Sequence, residues 1–298
     1  MAPLPVTVIG GYLGAGKTTL VNHLLRHAAG RRLAVLVNEF GDLPIDADLI
    51  EAEEDGMISI AGGCICCSFG SDLIGALGDL AAMEPRPDHI LVESSGVAIP
   101  GAIVSTMLLA EGIRSDGIVV VVDGETVRQR AQDDYVGDTI TRQLSDADIV
   151  VVNKTDLLAP AAQTELMAWL AEAAPGAIAI PAERGRVAPG ALLGVLPAPG
   201  AGQPADHSDR LFDSVVLTPE SGQPVEELAR DLATGPHGVI RAKGYLRDVD
   251  GALWLIQTVG RRWEVTAAQG PHEAGLVCIG FRDRLDRDGL AELAGVTA

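Results

Sequence analysis

The sequence predicts an α/β protein: a P-loop NTPase-type, mostly parallel sheet with helices on both faces, followed by a small α+β domain. Three observations predict it. Short, fully apolar runs alternate with helical patterns through the first part of the chain. A glycine-rich phosphate-loop motif stands between the first apolar run and the first helix. Beyond a Pro/Gly/Ala-rich stretch, the pattern changes to closely spaced short strands with two helical segments.

In chain order, "VTVIG" (6–10) reads as a buried strand, and "KTTLVNHLLRHAA" (17–29) as a helix with Leu20, Leu24, Leu25 and Ala28 on one side. Further strands are "LAVLV" (33–37), "MISI" (57–60), "HILVE" (89–93), "GIVVVVD" (117–123) and "ADIVVVN" (147–153). Helical stretches fit between most of these strands, including 71–83 and 161–174. The resulting organisation is a nucleotide-binding domain over 1–184, a linker over 185–210 with one short ordered turn near Leu192, and an α+β domain over 211–298. In that last part "VDGALW" carries an Asp-Gly hairpin signal.

Composition narrows the partners. With 47% hydrophobic residues but only 3% aromatics, the core must rest on Val, Leu, Ile and Ala. The 22 Lys+Arg against 41 Asp+Glu leave a net charge of −19, a field that repels nucleic acid and anionic lipid. The opening "MAPLPVTVIGG" lacks a basic leader, and no apolar run approaches the roughly 20 residues that span a bilayer. The expectation is a cytoplasmic protein without membrane or nucleic-acid partners, in a compartment where thiols stay reduced.

"GYLGAGKT" (11–18) fits G-x-x-x-x-G-K-[ST]. Gly11, Gly14, Ala15 and Gly16 would turn backbone N–H groups onto phosphates. Lys17 would neutralise β/γ oxygens, Thr18 would hold Mg²⁺, and Thr19 completes the binding set. "VVVNKTDLL" (150–158) points to the base. Asp156 can accept from guanine N1–H and its 2-amino group, whereas adenine would set a lone pair against it. Asn153 would secure the loop and Lys154 would cover the base, so GTP is the expected nucleotide. Glu93, in "HILVESSG", is a candidate for Mg²⁺ through water or for orienting the attacking water, and Gly96 for a γ-phosphate contact. "VNEFGD" (37–42) has the look of a switch segment, with Glu39 and Asp42 as candidate ligands. Asp123 ends another strand with no assigned role.

"GGCICC" (62–67) gathers Cys64, Cys66 and Cys67, three of the four cysteines in the chain. It follows the strand "MISI" and should therefore emerge at the strand ends where ligands bind in such sheets. Three thiolates suit Zn²⁺ or Cu⁺, with Co²⁺ or Ni²⁺ possible, and a fourth ligand could be water, Glu39, Asp42 or a client protein. Small buried hydrophobes, a redox pair and a closed structural site remain open as alternatives. His23 and His27 stand at i and i+4, a metal-compatible spacing, but His23 opposite the leucine stripe and His27 at its flank read as solvent-facing.

"GYLGAGKTTLVNHLL", "VNEFGD", "GGCICC", "ESSGVAIP" and "NKTDLL", in this order, resemble the CobW-type metallochaperone GTPases, and "RAKGYL", "WLIQTVG" and "LVCIG" resemble that family's C-terminal domain. The resemblance implies GTP hydrolysis coupled to metal loading of a client protein or cofactor pathway. It implies Lys17 and Thr18 on phosphate and Mg²⁺, and Asn153, Lys154 and Asp156 on guanine. Cys64, Cys66 and Cys67 would hold the transferred metal, helped by Glu39, with zinc as the leading ion and cobalt or nickel behind it. Two departures stand out. Only His207 remains of the His-rich tract that many members carry near the linker, which argues against metal storage, and Cys278 replaces a common Phe. A metal sensor or buffer without a transfer step, and a P-loop small-molecule kinase, are the rival functions.

Overall fold

The computed structural model describes residues 3–28, 30–38, 57–62, 71–193, 211–219, 222, 224–268 and 272–295. It divides into two compact units, Met1–Val187 and Ala188–Ala298.

In the first unit β1 (Leu4–Gly10) runs through the phosphate loop into α1 (Lys17–Arg26), followed by β2 (Leu33–Asn38), β3 (Met57–Gly62) and α2 (Ser71–Ala82). Then come β4 (His89–Glu93), α3 (Pro100–Met107), β5 (Ile113–Asp123), α4 (Val127–Ala131) and α5 (Gly137–Asp146). β6 (Ile149–Asn153), α6 (Pro160–Ala173) and β7 (Ile178–Pro181) complete it. The strands form one parallel sheet, in the order β3-β2-β4-β1-β5-β6-β7. β1 lies between β4 and β5, so the chain order reverses there and the phosphate loop opens at the switch point.

The apolar runs explain the layers. Every residue of β4 and β6 is buried, because helices cover both sheet faces. On one face Val6, Val8, Ile90 and Val92 pack with Leu73, Leu77 and Leu80 of α2 and Ile103 and Met107 of α3. Further along that face Val120 and Val122 pack with Ile140 and Leu144 of α5 and Leu166 and Leu170 of α6. The alternate residues Val35, Val37, Val119, Val121 and Val151 are buried as well, on the side that α1 covers with Leu20, Val21, Leu24 and Leu25.

Several features differ from the sequence reading for physical reasons. β5 begins at Ile113, four residues ahead of its apolar run, because its polar start is satisfied internally. Arg114 Nη1 donates to buried Asp116 Oδ1 at 2.7 Å, Asp116 also faces His89, and His89 is hydrogen-bonded to Thr7 at 2.8 Å. α5 was hidden by its polar residues, yet it buries Ile140, Gln143 and Leu144. His23 is not solvent-facing: it is buried, its Nε2 donates to Val187 O at 3.1 Å, and its ring lies 4.2 Å from that of His27. Both histidines are thus packing and hydrogen-bonding groups, and His27 Nδ1 donates back to His23 O at 2.7 Å.

In the second unit α7 (Pro189–Leu193) lies within the stretch whose composition reads as a linker, and buried Arg241 donates to Leu192 O at 2.8 Å. The antiparallel strands β8 (Phe212–Leu217), β9 (Val239–Arg247), β10 (Leu253–Val259), β11 (Arg262–Ala267) and β12 (Gly275–Phe281) follow. They are ordered β11-β10-β9-β12-β8, with α8 (Val225–Thr234) after β8 and α9 (Arg287–Leu293) at the end. Leu228, Ala229 and Leu232 of α8 pack on Ala242, Leu246, Ile256, Leu276 and Cys278. The β9–β10 hairpin closes on Asp248, whose carboxylate accepts from Trp254 Nε1 at 2.7 Å and from the Ala252 amide at 2.9 Å. These donors, the indole first, hold Asp248 below the usual carboxylate range. Among the described residues no helix is long and apolar enough to cross a membrane.

Cys278 is fully buried, and burial pushes its thiol up to about 12. At about pH 8 only roughly one thiol in ten thousand would then be ionised. Cys278 should stay unlabelled by iodoacetamide in the native protein and become labelled in denaturant, as peptide mass mapping would read directly.

Candidate functional site

Parallel pairing brings the described motif-bearing loops, those after β1, β4 and β6, to one edge. Ile9 and Val37 are each in register with Glu93, Asn38 with Gly62, and Asp123 with Asn153. Consequently β1 to β6 release their following segments from the same end of the sheet.

The phosphate loop occupies the centre of that edge. Gly11 follows β1, Gly14 stands at the exposed crest, and Ala15 is buried. Gly16 caps α1 in the left-handed region at φ 104, where a Cβ would strike the Asn153 side-chain amide. Lys17 opens α1 and is 9% exposed, and Thr19 is exposed on its first turn. Thr18 Oγ1 donates to Glu93 Oε1 at 2.7 Å, so the hydroxyl and the strand-end acid meet although 75 residues separate them.

Asn153 joins this loop to the base loop. Its side chain is buried, Nδ2 donates to Ala15 O at 2.9 Å, and Oδ1 accepts from the Gly185 amide at 2.8 Å. Lys154 adopts left-handed backbone geometry at φ 63 and sends Nζ to Asp123 Oδ2, 2.6 Å away. Asp156 lies in a 3₁₀ turn, Thr155–Leu157, with its side chain exposed. The backbone amide and hydroxyl of Thr155 both donate to Ala182 O, at 3.2 and 3.0 Å. The loop after β7 therefore packs beside the "NKTD" loop.

At the other end, the "ESSG" loop is pinned from behind. Gln143 Nε2 of α5 donates to Gly96 O at 3.1 Å and to Ala98 O at 2.9 Å. A side chain at Gly96 would collide with Leu13 of the phosphate loop, so the two loops touch there.

Sequence reasoning missed three of these groups: Asp123 as the partner of Lys154, Gln143 as the anchor of Gly96, and Gly185 as the partner of Asn153. Asp123 offered a signal in its strand-end position opposite Asn153, and Arg184–Gly185 in a tight loop after a strand; Gln143 offered none. Cys64, Cys66, Cys67, Glu39, Asp42 and His207 lie outside the described residues. Among the described residues no group of three or more His, Cys, Asp or Glu could hold a metal ion.

Residues 5–181 match the CobW/HypB/UreG nucleotide-binding domain. The chain belongs to the CobW/HypB/UreG family. Residues 212–294 match the cobalamin synthesis protein CobW C-terminal domain, so the CobW pattern extends through the second unit. The chain is 33% identical over 359 aligned positions to the zinc chaperone CobW of a Sinorhizobium species, covering 99% of this chain and 97% of that one. It is 34% identical to the zinc chaperone CobW of Pseudomonas aeruginosa, over 89% of this chain and 82% of that one. It is 37% identical to zinc-regulated GTPase metalloprotein activator 1 of Schizosaccharomyces pombe, over 52% of this chain and 40% of that protein. The first unit is thus a CobW-family nucleotide-binding domain, with the loops after β1, β4 and β6 gathered at one sheet edge.

Asn153→Ala removes two buried hydrogen bonds and leaves the Gly185 amide without its acceptor. A loss of about 2–3 kcal/mol is expected, measured as the shift in urea unfolding of the nucleotide-free protein.

Proposed function

We propose that this CobW-family protein binds and hydrolyses GTP and couples that cycle to delivery of a transition metal, zinc foremost with cobalt or nickel behind it, to a client protein. One observation carries the coupling. β2 and β3 end side by side, Asn38 in register with Gly62, and Val37 is in register with Glu93. β2, which precedes Glu39, therefore ends beside the strand-end acid that meets Thr18, and β3, which precedes the three cysteines, ends one strand further out. The full-length relatives named zinc chaperones support zinc as the cargo.

In this reading Gly11, Gly14, Ala15, Gly16, Lys17, Thr18 and Thr19 hold the phosphates, Gly96 meets the γ-phosphate, and Asn153, Lys154 and Asp156 hold guanine. The buried carboxylate of Glu93 bonded to Thr18 is a donor set that fits Mg²⁺: the two would hold the ion, which neutralises charge on the β- and γ-phosphate oxygens when bound. Lys17 stabilises charge that builds on those oxygens as water attacks phosphorus and the bond to the bridging oxygen breaks, giving GDP and phosphate. Glu93 alternatively orients that water. In the triphosphate state Cys64, Cys66, Cys67 and Glu39 would form a tight metal site, and hydrolysis would loosen it. Without a client, turnover should be slow.

A small-molecule kinase is disfavoured by Asp156, which suits guanine and repels adenine. The experiment is a selectivity assay on the wild type and Asp156→Asn. The wild type should hydrolyse GTP and not ATP. The variant should lose GTP affinity by at least about a hundredfold and gain xanthosine triphosphate, whose 2-oxo group accepts from the new amide. Equal use of ATP and GTP by the wild type would contradict the GTPase reading.

A further inference from the structure

The crest of the phosphate loop is a tight turn, Tyr12–Ala15, closed by the Ala15 amide donating to Tyr12 O at 3.2 Å. Its third residue, Gly14, has φ 77, the left-handed value that a type II turn requires there. Type I and type II turns differ by a flip of the central peptide, here Leu13–Gly14. Glycine at the third position tolerates either form. The carbonyl and N–H of a trans peptide point in opposite directions. The orientation of this one peptide therefore decides whether the Gly14 N–H faces the phosphates or turns its carbonyl oxygen toward them.

A side chain from outside the loop holds that carbonyl. Arg130 Nη1 donates to Leu13 O at 3.0 Å, and the same guanidinium stands 5.1 Å from the centroid of the Tyr12 ring. One cation thus grips the first two residues of the crest, Tyr12 and Leu13. Arg130 is itself placed by the backbone: its amide donates to Thr126 O at 2.9 Å, and the turn into α5 is closed by the Gly137 amide on Asp133 O, also at 2.9 Å. The crest it grips is the end of the loop that abuts Gly96.

We propose that Arg130 is a positioning residue of the nucleotide site: by holding the Leu13 carbonyl away from the loop interior it keeps the Gly14 N–H facing the phosphates, and it favours triphosphate over diphosphate. The triphosphate preference follows from the contact of Leu13 with Gly96, the residue assigned to the γ-phosphate, and so rests on the GTPase reading above. Arg130 touches neither water nor phosphorus in this role. It acts through one peptide group.

The test uses the full-length protein with fluorescent GDP and a fluorescent non-hydrolysable GTP analogue, for the wild type, Arg130→Gln and Arg130→Lys. Arg130→Gln should weaken the GTP analogue about tenfold and GDP less than about threefold, with kcat at saturating GTP changed less than about threefold. Arg130→Lys should recover part of the loss, because an ammonium can still donate to Leu13 O but cannot lie flat on Tyr12. Melting temperatures of the nucleotide-free proteins should coincide. Unchanged affinities, equal losses for the two nucleotides, or a fall in kcat with affinity intact would overturn the proposal, the last marking Arg130 as a transition-state group instead. A wild type that binds no guanine nucleotide would overturn the GTPase reading as well. Should Arg130→Gln fail to fold, a smaller loss in the same direction for Arg130→Lys decides the matter alone.

Discussion

The nucleotide edge of this protein depends on one buried amide. Asn153 ends β6, and its side chain has one donor group turned to the phosphate loop at Ala15 and one acceptor turned to the loop after β7 at Gly185. Both bonds are buried, so the phosphate loop, the "NKTD" loop and the loop after β7 are tied together through one side chain. Gly16 answers the same constraint from the other side, since the amide of Asn153 fills the space that any side chain there would need.

A second support comes from the segment between β5 and α5. Asp123 holds Lys154 at the base end, Arg130 holds the crest of the phosphate loop, and Gln143 holds Gly96 and Ala98 at the acid end. Twenty-one residues of chain thus brace three loops that come from β6, β1 and β4. Because the chain carries a net charge of −19, anion binding cannot come from the overall field. On the reading proposed above it is built locally, from Lys17 and from the backbone N–H groups of the loop between β1 and α1.

What was legible in the sequence was local. The phosphate loop and "NKTD" are contiguous patterns whose spacing carries their chemistry, and the apolar strands announce a sheet buried on both faces. What was illegible was pairing at long range. Nothing in the neighbourhood of Gln143 says that it holds a loop 47 residues earlier, and His23 looked solvent-facing because Val187, its acceptor, is 164 residues away. The start of β5 was hidden for a similar reason: Asp116 reads as a turn residue until Arg114 and His89 are seen around it. The resemblance to CobW-type proteins supplied the family before any of this geometry, whereas the arrangement of supports behind the loops came only from the folded chain.

The central proposal is that bound nucleotide controls metal held by Cys64, Cys66 and Cys67. The most direct measurement is a competitive zinc titration of the full-length protein in the presence of Mg²⁺, with either a non-hydrolysable GTP analogue or GDP. Cobalt-substituted samples would report thiolate ligation by their charge-transfer bands. The account predicts thiolate-bound metal held at least about fivefold more tightly with the GTP analogue. Equal affinity in the two nucleotide states would contradict it.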